Sequence, residues 1–461
     1  MRFASLAALL CALVACSGSP ASSPPAAPQN VAVLPQTSSS NYIEHVVLVV
    51  QENRSFDDFF AKFPGADGTR FGKDGGKRLR LHEAPLLEPC DFGHAFPDFT
   101  RDYDGGKMDG FGEEGGSRKC PGKAGRKPYQ YVNPEDIAPY WDIAKEYVLG
   151  DHMFQTQGSG SFTAHQDLIR GGTVFHDAPV ESLVDFPSNF PWGCDAPAGT
   201  KTSYLIVKKG IGLRREHYRG PFPCTSDFGK YDYETLSDLL DANSVSWKYY
   251  TPPVGKGSGS LWSAFDVIAA VRYGPEWSTN VVEPNVFFSD VAHGKLPAMS
   301  WVIPDTPNSD HPVGSSDNGP SWVASIVNAV GESSYWNSTA IVVVWDDWGG
   351  FYDHESPPFQ DNWGGLGFRV PMLLISPYAR ESSSNQPGYI SHTQYEFGSI
   401  LKFVEQNWKL GSLGTTDKRA TSILDCFDFT QQPRTFTAIP SKFSPAYFER
   451  QPYSYTPVDT E

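Results

Sequence analysis

With 461 residues, of which 39% are hydrophobic, 14% aromatic and 20% charged, the chain is long enough for one large domain or two smaller ones with an ample core. Its formal net charge of -16 offers no basic surface to a phosphate backbone, which argues against nucleic acid as the main partner. Beyond that, an acidic surface implies solubility.

The chain opens with MRFASLAALLCALVAC: one arginine, an apolar run and then small residues. This is the pattern of a secretory signal over residues 1–15. The ending Leu13-Val14-Ala15-Cys16 resembles a bacterial lipobox, which would make Cys16 the acylated first residue of an exported lipoprotein. The expected location is the bacterial envelope, in the periplasm or at the outer membrane; ordinary cleavage further along is the alternative. Residues 16–40 form a Ser/Pro/Ala tether that cannot build a core. A catalytic domain is expected over 41–430, with 431–461 as a tail packed on or beside it. No segment after the signal holds eighteen uncharged apolar residues, so no membrane span is expected.

The folded body begins with HVVLVVQENRSFDDFF, residues 45–60. Val46 to Val50 read as a strand buried on both faces. The chain then turns polar at Gln51, Glu52, Asn53 and Arg54, and Ser55, three before Asp58, reads as a capping box opening a helix. Further strand-like runs lie at 297–303, 340–345 and 370–375. Helical patterns at 234–242, 320–330 and 394–408 alternate with them. That alternation predicts an α/β sandwich around a largely parallel central sheet. The Gly- and Pro-rich stretches 65–130 and 180–232 read as long loops or a cap. Aromatic runs at 186–192, 221–233 and 246–250 could wall that cap against a substrate's leaving group, or merely pack it. In an oxidising compartment the sequence-local cysteine pairs are Cys90–Cys120 and Cys194–Cys224, leaving Cys426 buried.

Ligands in open α/β sheets bind outside the carboxyl ends of the strands. The strand at 45–50 ends in Glu52-Asn53, and the strand at 340–345 ends in Asp346-Asp347. Three carboxylates and a carboxamide meeting on one rim would repel unless a cation sat between them. Hard oxygen donors favour Ca, Mg or Mn. Either strand end by itself would read as a dipole partner or a solvated turn. The nucleophile predicted beside them is Ser161, after Gly158-Ser159-Gly160 and before the helical FTAHQDLIR, as an N-cap whose helix favours a bound phosphate. Ser159 and Thr163 are rival hydroxyls. His94, His311 and His354 sit beside an Asp or a Gly-rich turn and are candidates for binding phosphoryl oxygens or protonating a leaving group; His165, His176, His217 and His293 lack such a context.

Four ordered motifs, VVQENRSFDDFF, GGKMDGF, WDDWGGFYDHESPP and GFRVPMLLISPYAR, resemble the bacterial phosphoesterase family, which contains non-specific phospholipases C and an acid phosphatase branch. The resemblance covers about residues 43 to 430. It implies an alkaline-phosphatase-like fold, a serine or threonine nucleophile and a divalent metal ion. It matches Glu52, Asn53, Asp346 and Asp347 to the family's metal ligands, Ser161 to its nucleophile, and His94, His311 and His354 to its histidines. The family's Pro-Asn after the nucleophile is absent here, where Phe162-Thr163-Ala164-His165 follow. The expected function is metal-dependent phospholipase C-type cleavage of phosphodiester or phospholipid substrates. Acid phosphatase activity on monoesters is one alternative, and an inactive surface-binding protein on the same fold is another.

Overall fold

The computed structural model describes residues 42–455 except 117–119, 178–179, 209–211, 220–223, 225–232, 256, 314–315, 360–364 and 383–387. The expected signal, the tether, Cys16 and most of the aromatic run 221–233 lie outside the described residues.

Eight strands build the central sheet. In chain order they are β1 (His45–Gln51), β2 (Val148–Gly150), β3 (Trp247–Tyr250), β4 (Val281–Val282), β5 (Met299–Val302), β6 (Thr339–Trp345), β7 (Met372–Ile375) and β8 (Tyr389–Ser391). Across the sheet they run β4-β3-β5-β1-β6-β7-β2-β8. Every neighbour pair is parallel except those of β7, which runs against β6 and β2. β1 and β6 sit in the middle because both are near-continuous apolar runs, which only a strand covered on both faces can bury.

Register shows how the two faces are covered. Leu48 lies opposite Trp301 on one side and Val342 on the other, so the three side chains share a face. The Trp301 indole donates to the Leu168 carbonyl of a helix, Ser161–Arg170. Trp345, three positions after Val342, points to the opposite face. It packs edge-on against Phe59 of the helix Phe56–Phe60 and Tyr140 of the helix Ala138–Glu146. These helices, with Phe96–Tyr103, are α1 (Phe56–Phe60), α2 (Phe96–Tyr103), α3 (Ala138–Glu146) and α4 (Ser161–Arg170). The helix Phe397–Trp408 packs beside α4, and Gly319–Gly331 packs beside α3. The result is a helix–sheet–helix arrangement with its long strands at the centre.

Two sequence readings are corrected. Residues 246–250 are not a cap wall: Trp247, Tyr249 and Tyr250 form the interior strand β3, with Tyr249 opposite Trp301 and every one of the three rings buried. The stretch 180–232 is not only loop, because it carries most of a four-stranded antiparallel sheet of Val174–Asp177, Val180–Val184, Thr202–Lys208 and Gly212–Arg219. Both local disulfides, Cys90–Cys120 and Cys194–Cys224, are formed, and Cys426 is free and buried. Near the carboxyl end, the helix Pro445–Arg450 sets Phe448 edge-on against Trp322.

The turn after β6 folds back on the end of β1. Gly349 has φ 59°, and a Cβ there would lie 2.3 Å from the Asn53 carbonyl oxygen. Gly349→Ala should therefore destabilise the protein by roughly 1–3 kcal/mol from backbone strain, with the clash added. Chemical denaturation measures this, and a midpoint equal to wild type would show that the turn has room.

Candidate metal and nucleophile site

Strand pairing continues past β1, where the Asp346 N–H donates to the Gln51 carbonyl at 2.9 Å. Glu52-Asn53 and Asp346-Asp347 consequently leave the sheet side by side, and all four residues are fully buried. Asn53 takes φ 60°, a left-handed conformation that asparagine tolerates better than most residues. Its N–H and that of Asp347 donate to Asp346 Oδ1 at 3.0 and 2.7 Å. Asp347 Oδ1 accepts from the Gly349 N–H at 2.7 Å. The Glu52 N–H holds the Ser309 carbonyl at 2.8 Å, drawing the loop of His311 to the same rim. Buried Arg54 locks that loop further, donating twice to the Asp310 carbonyl and once to Asp58.

α4 brings the hydroxyl. Gly160 is its N-cap and Ser161 its first helical residue, one position later than the sequence suggested. Ser161 Oγ lies 3.1 Å from Asp347 Oδ2 and 3.5 Å from Asn53 Oδ1. The rival hydroxyls have other partners: Thr163 donates to the Gly160 carbonyl, and Ser159 accepts from the Asp185 N–H. One helical turn beyond Ser161, His165 Nε2 lies 2.7 Å from Glu52 Oε1 and 3.8 Å from Asp346 Oδ2. The sequence reading passed over His165. The signal was its i, i+4 spacing from Ser161, which puts both on one helix face.

His94 and His311 reach the same rim, their ring centroids 6.4 Å apart. His94 Nδ1 donates to the Phe92 carbonyl at 2.7 Å, so in the neutral form its Nε2 accepts from Asn53 Nδ2 at 3.0 Å. His311 Nδ1 donates to the Pro312 carbonyl, which leaves its Nε2 for other partners. The indole of Trp262 lies against both His165 and His311, at 6.3 and 5.9 Å between centroids. His354 does not join them. Its Nδ1 is bound to Asp57 at 2.7 Å, within a separate charged group that includes Asp67, Asp353 and Arg369. The Asp-His motif is therefore corrected as a source of a site histidine: fully buried Asp57 and Asp353 draw that loop to themselves.

Burial, then Asp346 and Asp347, push the Glu52 carboxyl well above the ordinary range. Burial and Asp346 do the same to Asp347. Burial alone would depress the His94 imidazole, but Asp347 and Asp91, with the Phe92 carbonyl, outweigh it and lift its pKa to about 9. Burial takes His165 and His311 the other way, each to about 4. Among the described residues, Glu52 Oε2 and Asp346 Oδ2 are buried and have no hydrogen-bond partner. Orphaned carboxylate oxygens beside an amide oxygen fit a divalent cation, and Glu52, His165 and Asp346 present ligand atoms within 4.8 Å of one another.

Residues 43–411 match the model of the phosphoesterase family, four-fifths of the chain. The chain belongs to this family. Among curated relatives, a non-hemolytic phospholipase C of Burkholderia pseudomallei is 24% identical over 500 residues, which cover 92% of this chain and 64% of that one. Phospholipase C A of Mycobacterium tuberculosis is 25% identical, with 73% and 68% covered. Non-specific phospholipase C6 of Arabidopsis thaliana is 30% identical, with 85% and 74% covered. This phosphoesterase thus spans under two thirds of the Burkholderia relative. Among solved structures, an alkaline phosphatase superfamily protein from Vibrio parahaemolyticus aligns with a TM-score of 0.38 at 10% identity, covering 84% of this chain and 72% of that one.

Glu52 and Asp347 hold protons more tightly folded than unfolded, so the metal-free protein loses stability as pH rises above the ordinary carboxylate range. His94 adds to that loss between its ordinary 6.5 and about 9. His165 and His311, depressed to about 4, act oppositely, but only below about 6.5. Denaturation midpoints in chelator should accordingly fall from about pH 7 to about pH 9, and a divalent cation should shrink the fall by favouring the ionised carboxylates. A midpoint that rises over this window contradicts the assignment.

Proposed function

We propose that the protein is a metal-dependent phosphoric ester hydrolase with Ser161 as nucleophile, cleaving phosphodiesters in the manner of a phospholipase C. One observation carries this reading: a helix-start hydroxyl 3.1 Å from a buried carboxylate, in a group that also holds orphaned carboxylate oxygens. Membership of the phosphoesterase family and relatives named phospholipase C support it.

Glu52, Asn53, Asp346 and Asp347 would hold the cation, with His165 able to add a nitrogen donor. When bound, the cation supplies Lewis-acid stabilisation of negative charge and favours the serine alkoxide. The chain's own residues do the rest. Ser161 Oγ passes its proton toward Asp347 Oδ2 and attacks phosphorus opposite the leaving oxygen. A phosphoseryl group forms as the bond to the leaving oxygen breaks, and that oxygen takes a proton from a rim histidine. His94, whose pKa is lifted to about 9, would serve as this donor and bind phosphoryl oxygens. His311, neutral with its Nδ1 proton on the Pro312 carbonyl, would accept a proton at Nε2 from the attacking water, and the positive end of α4 favours the anion. Water then attacks the phosphoserine, releasing the phosphate product and restoring the hydroxyl.

Ser161→Ala should lower turnover by several orders of magnitude without loss of folding, and chelation should abolish activity until a divalent cation is returned. Near-normal activity in either case contradicts the reading. For the substrate, kcat/KM on phosphatidylcholine or its chromogenic headgroup analogue should exceed that on p-nitrophenyl phosphate. A hundred-fold preference for the monoester, on the order of 3 kcal/mol in transition-state binding, would make the protein an acid phosphatase, and no turnover of either would fit a binding protein. We further propose acylation of Cys16 as the membrane anchor. Cys16→Ser should move the protein out of the membrane fraction, and unchanged fractionation would refute the anchor.

A further inference from the structure

A second set of metal-ligand side chains lies in the loops next to α1, made of residues that the proposed chemistry leaves unused. His354 Nδ1 is held 2.7 Å from Asp57 Oδ2, and Asp57 is fully buried. That fixes the ring with Nε2 pointing away, 3.5 Å from Asp67 Oδ1 and 3.5 Å from Glu355 Oε1. His152 repeats the arrangement. Its Nδ1 lies 2.7 Å from Asp151 Oδ1 on a buried carboxylate, and its Nε2 lies 3.2 Å from the other Asp67 oxygen. Asp67 is itself pinned through its backbone, its N–H on Asp151 Oδ2 and its carbonyl under Arg369.

Three features distinguish this set from an ordinary ion-pair network. Contacts of 3.5 Å are long for hydrogen bonds. They are close to the edge of a tetrahedron whose metal–ligand bonds are ~2.1 Å, an edge of about 3.4 Å. Ligand atoms of Asp67, His354 and Glu355 all lie within 4.8 Å of one another. An imidazole fixed at Nδ1 by a buried carboxylate, with Nε2 turned outward, is also how proteins orient histidine metal ligands. Finally, the carboxylates of Asp57, Asp67 and Asp353 all lie within 4 Å of the single guanidinium of Arg369, and Glu355 adds a fourth carboxylate beside His354, a concentration of negative charge that a dication would offset.

We propose that Asp67, His354 and Glu355, with His152 across Asp67, form a second divalent metal site, distinct from the Ser161 centre. Mixed imidazole and carboxylate donors suit zinc or a neighbouring transition metal rather than Ca or Mg. Side-chain exposures of 21% for His354 and 40% for both Asp67 and Glu355 let an ion enter directly from solvent. A bound ion would clamp the loop after α1, the segment after β2 and the loop after β6 together, so it stabilises the fold rather than acting on substrate.

The test is a zinc titration of the full-length, metal-depleted protein against the double variant Asp67→Asn, Glu355→Gln, both read by equilibrium dialysis with elemental analysis and by thermal unfolding. Wild type should bind one more zinc ion per chain than the variant, and its zinc-dependent rise in Tm should shrink in the variant. Affinity at this site should weaken at least tenfold. Cobalt added to the wild type gives a second reading, visible bands of tetrahedral cobalt that the variant weakens. Equal stoichiometry, equal affinity and equal cobalt spectra in the two proteins would overturn the site. Because Ser161 and its neighbours are untouched in the variant, failure here leaves the phosphoesterase chemistry standing, and failure of that chemistry leaves this site testable.

Discussion

The in-register parallel pairing of β1 with β6, which sets Gln51 opposite Trp345, is the constraint on which the rest of the molecule depends. Two strands of matched length and direction must release their chains at the same level. The residues that follow, Glu52-Asn53 and Asp346-Asp347, are therefore forced into one small buried volume. Three carboxylates there are costly, because burial removes hydration and their mutual repulsion is poorly screened. Backbone donors offset part of that cost: Asp346 Oδ1 takes two N–H groups and Asp347 Oδ1 takes one. Glu52 Oε2 and Asp346 Oδ2 remain without a donor among the described residues. Such unmet atoms are the reason a cation is proposed at this site.

The surrounding elements follow from that requirement. α4 aims its positive end at the carboxylates and carries Ser161 and His165 one turn apart on the same face. The Trp262 indole holds His165 and His311 from the side, and Arg54 bolts the loop of His311 to the end of β1. Gly349 lets the turn after β6 approach the Asn53 carbonyl at a distance that any side chain would forbid. Five separate stretches of the chain thus converge because two strands end together.

What could be read in the sequence was what a strong local pattern specifies. The apolar runs of β1 and β6 and the helices Gly319–Gly331 and Phe397–Trp408 stand out in the sequence, and the polar residues after each long strand mark where the two chain segments meet. The short strands β2, β4 and β8 were not legible, since two or three residues carry no period and are fixed by pairing with distant partners. β3 reads in the sequence as part of a cap, walling or packing it, because aromatic residues suit a strand interior as well as a binding surface. His165 was missed for a related reason: no neighbour in sequence signals a ligand, and only the face of α4 relates it to Ser161. His354 misled in the opposite way. Its flanking Asp and glycines look like a catalytic loop, whereas its geometry is set by Asp57, almost three hundred positions away in the chain.

The central claim is that the ends of β1 and β6 together form a cation site at the base of the Ser161 hydroxyl. Anomalous diffraction from crystals grown with manganese tests it most directly, because the ion's position is read without reference to activity. The account predicts a peak bounded by Glu52, Asn53, Asp346 and Asp347, next to Ser161 Oγ. Ordered density for those side chains with no anomalous peak among them, at a manganese concentration that saturates activity, would contradict it.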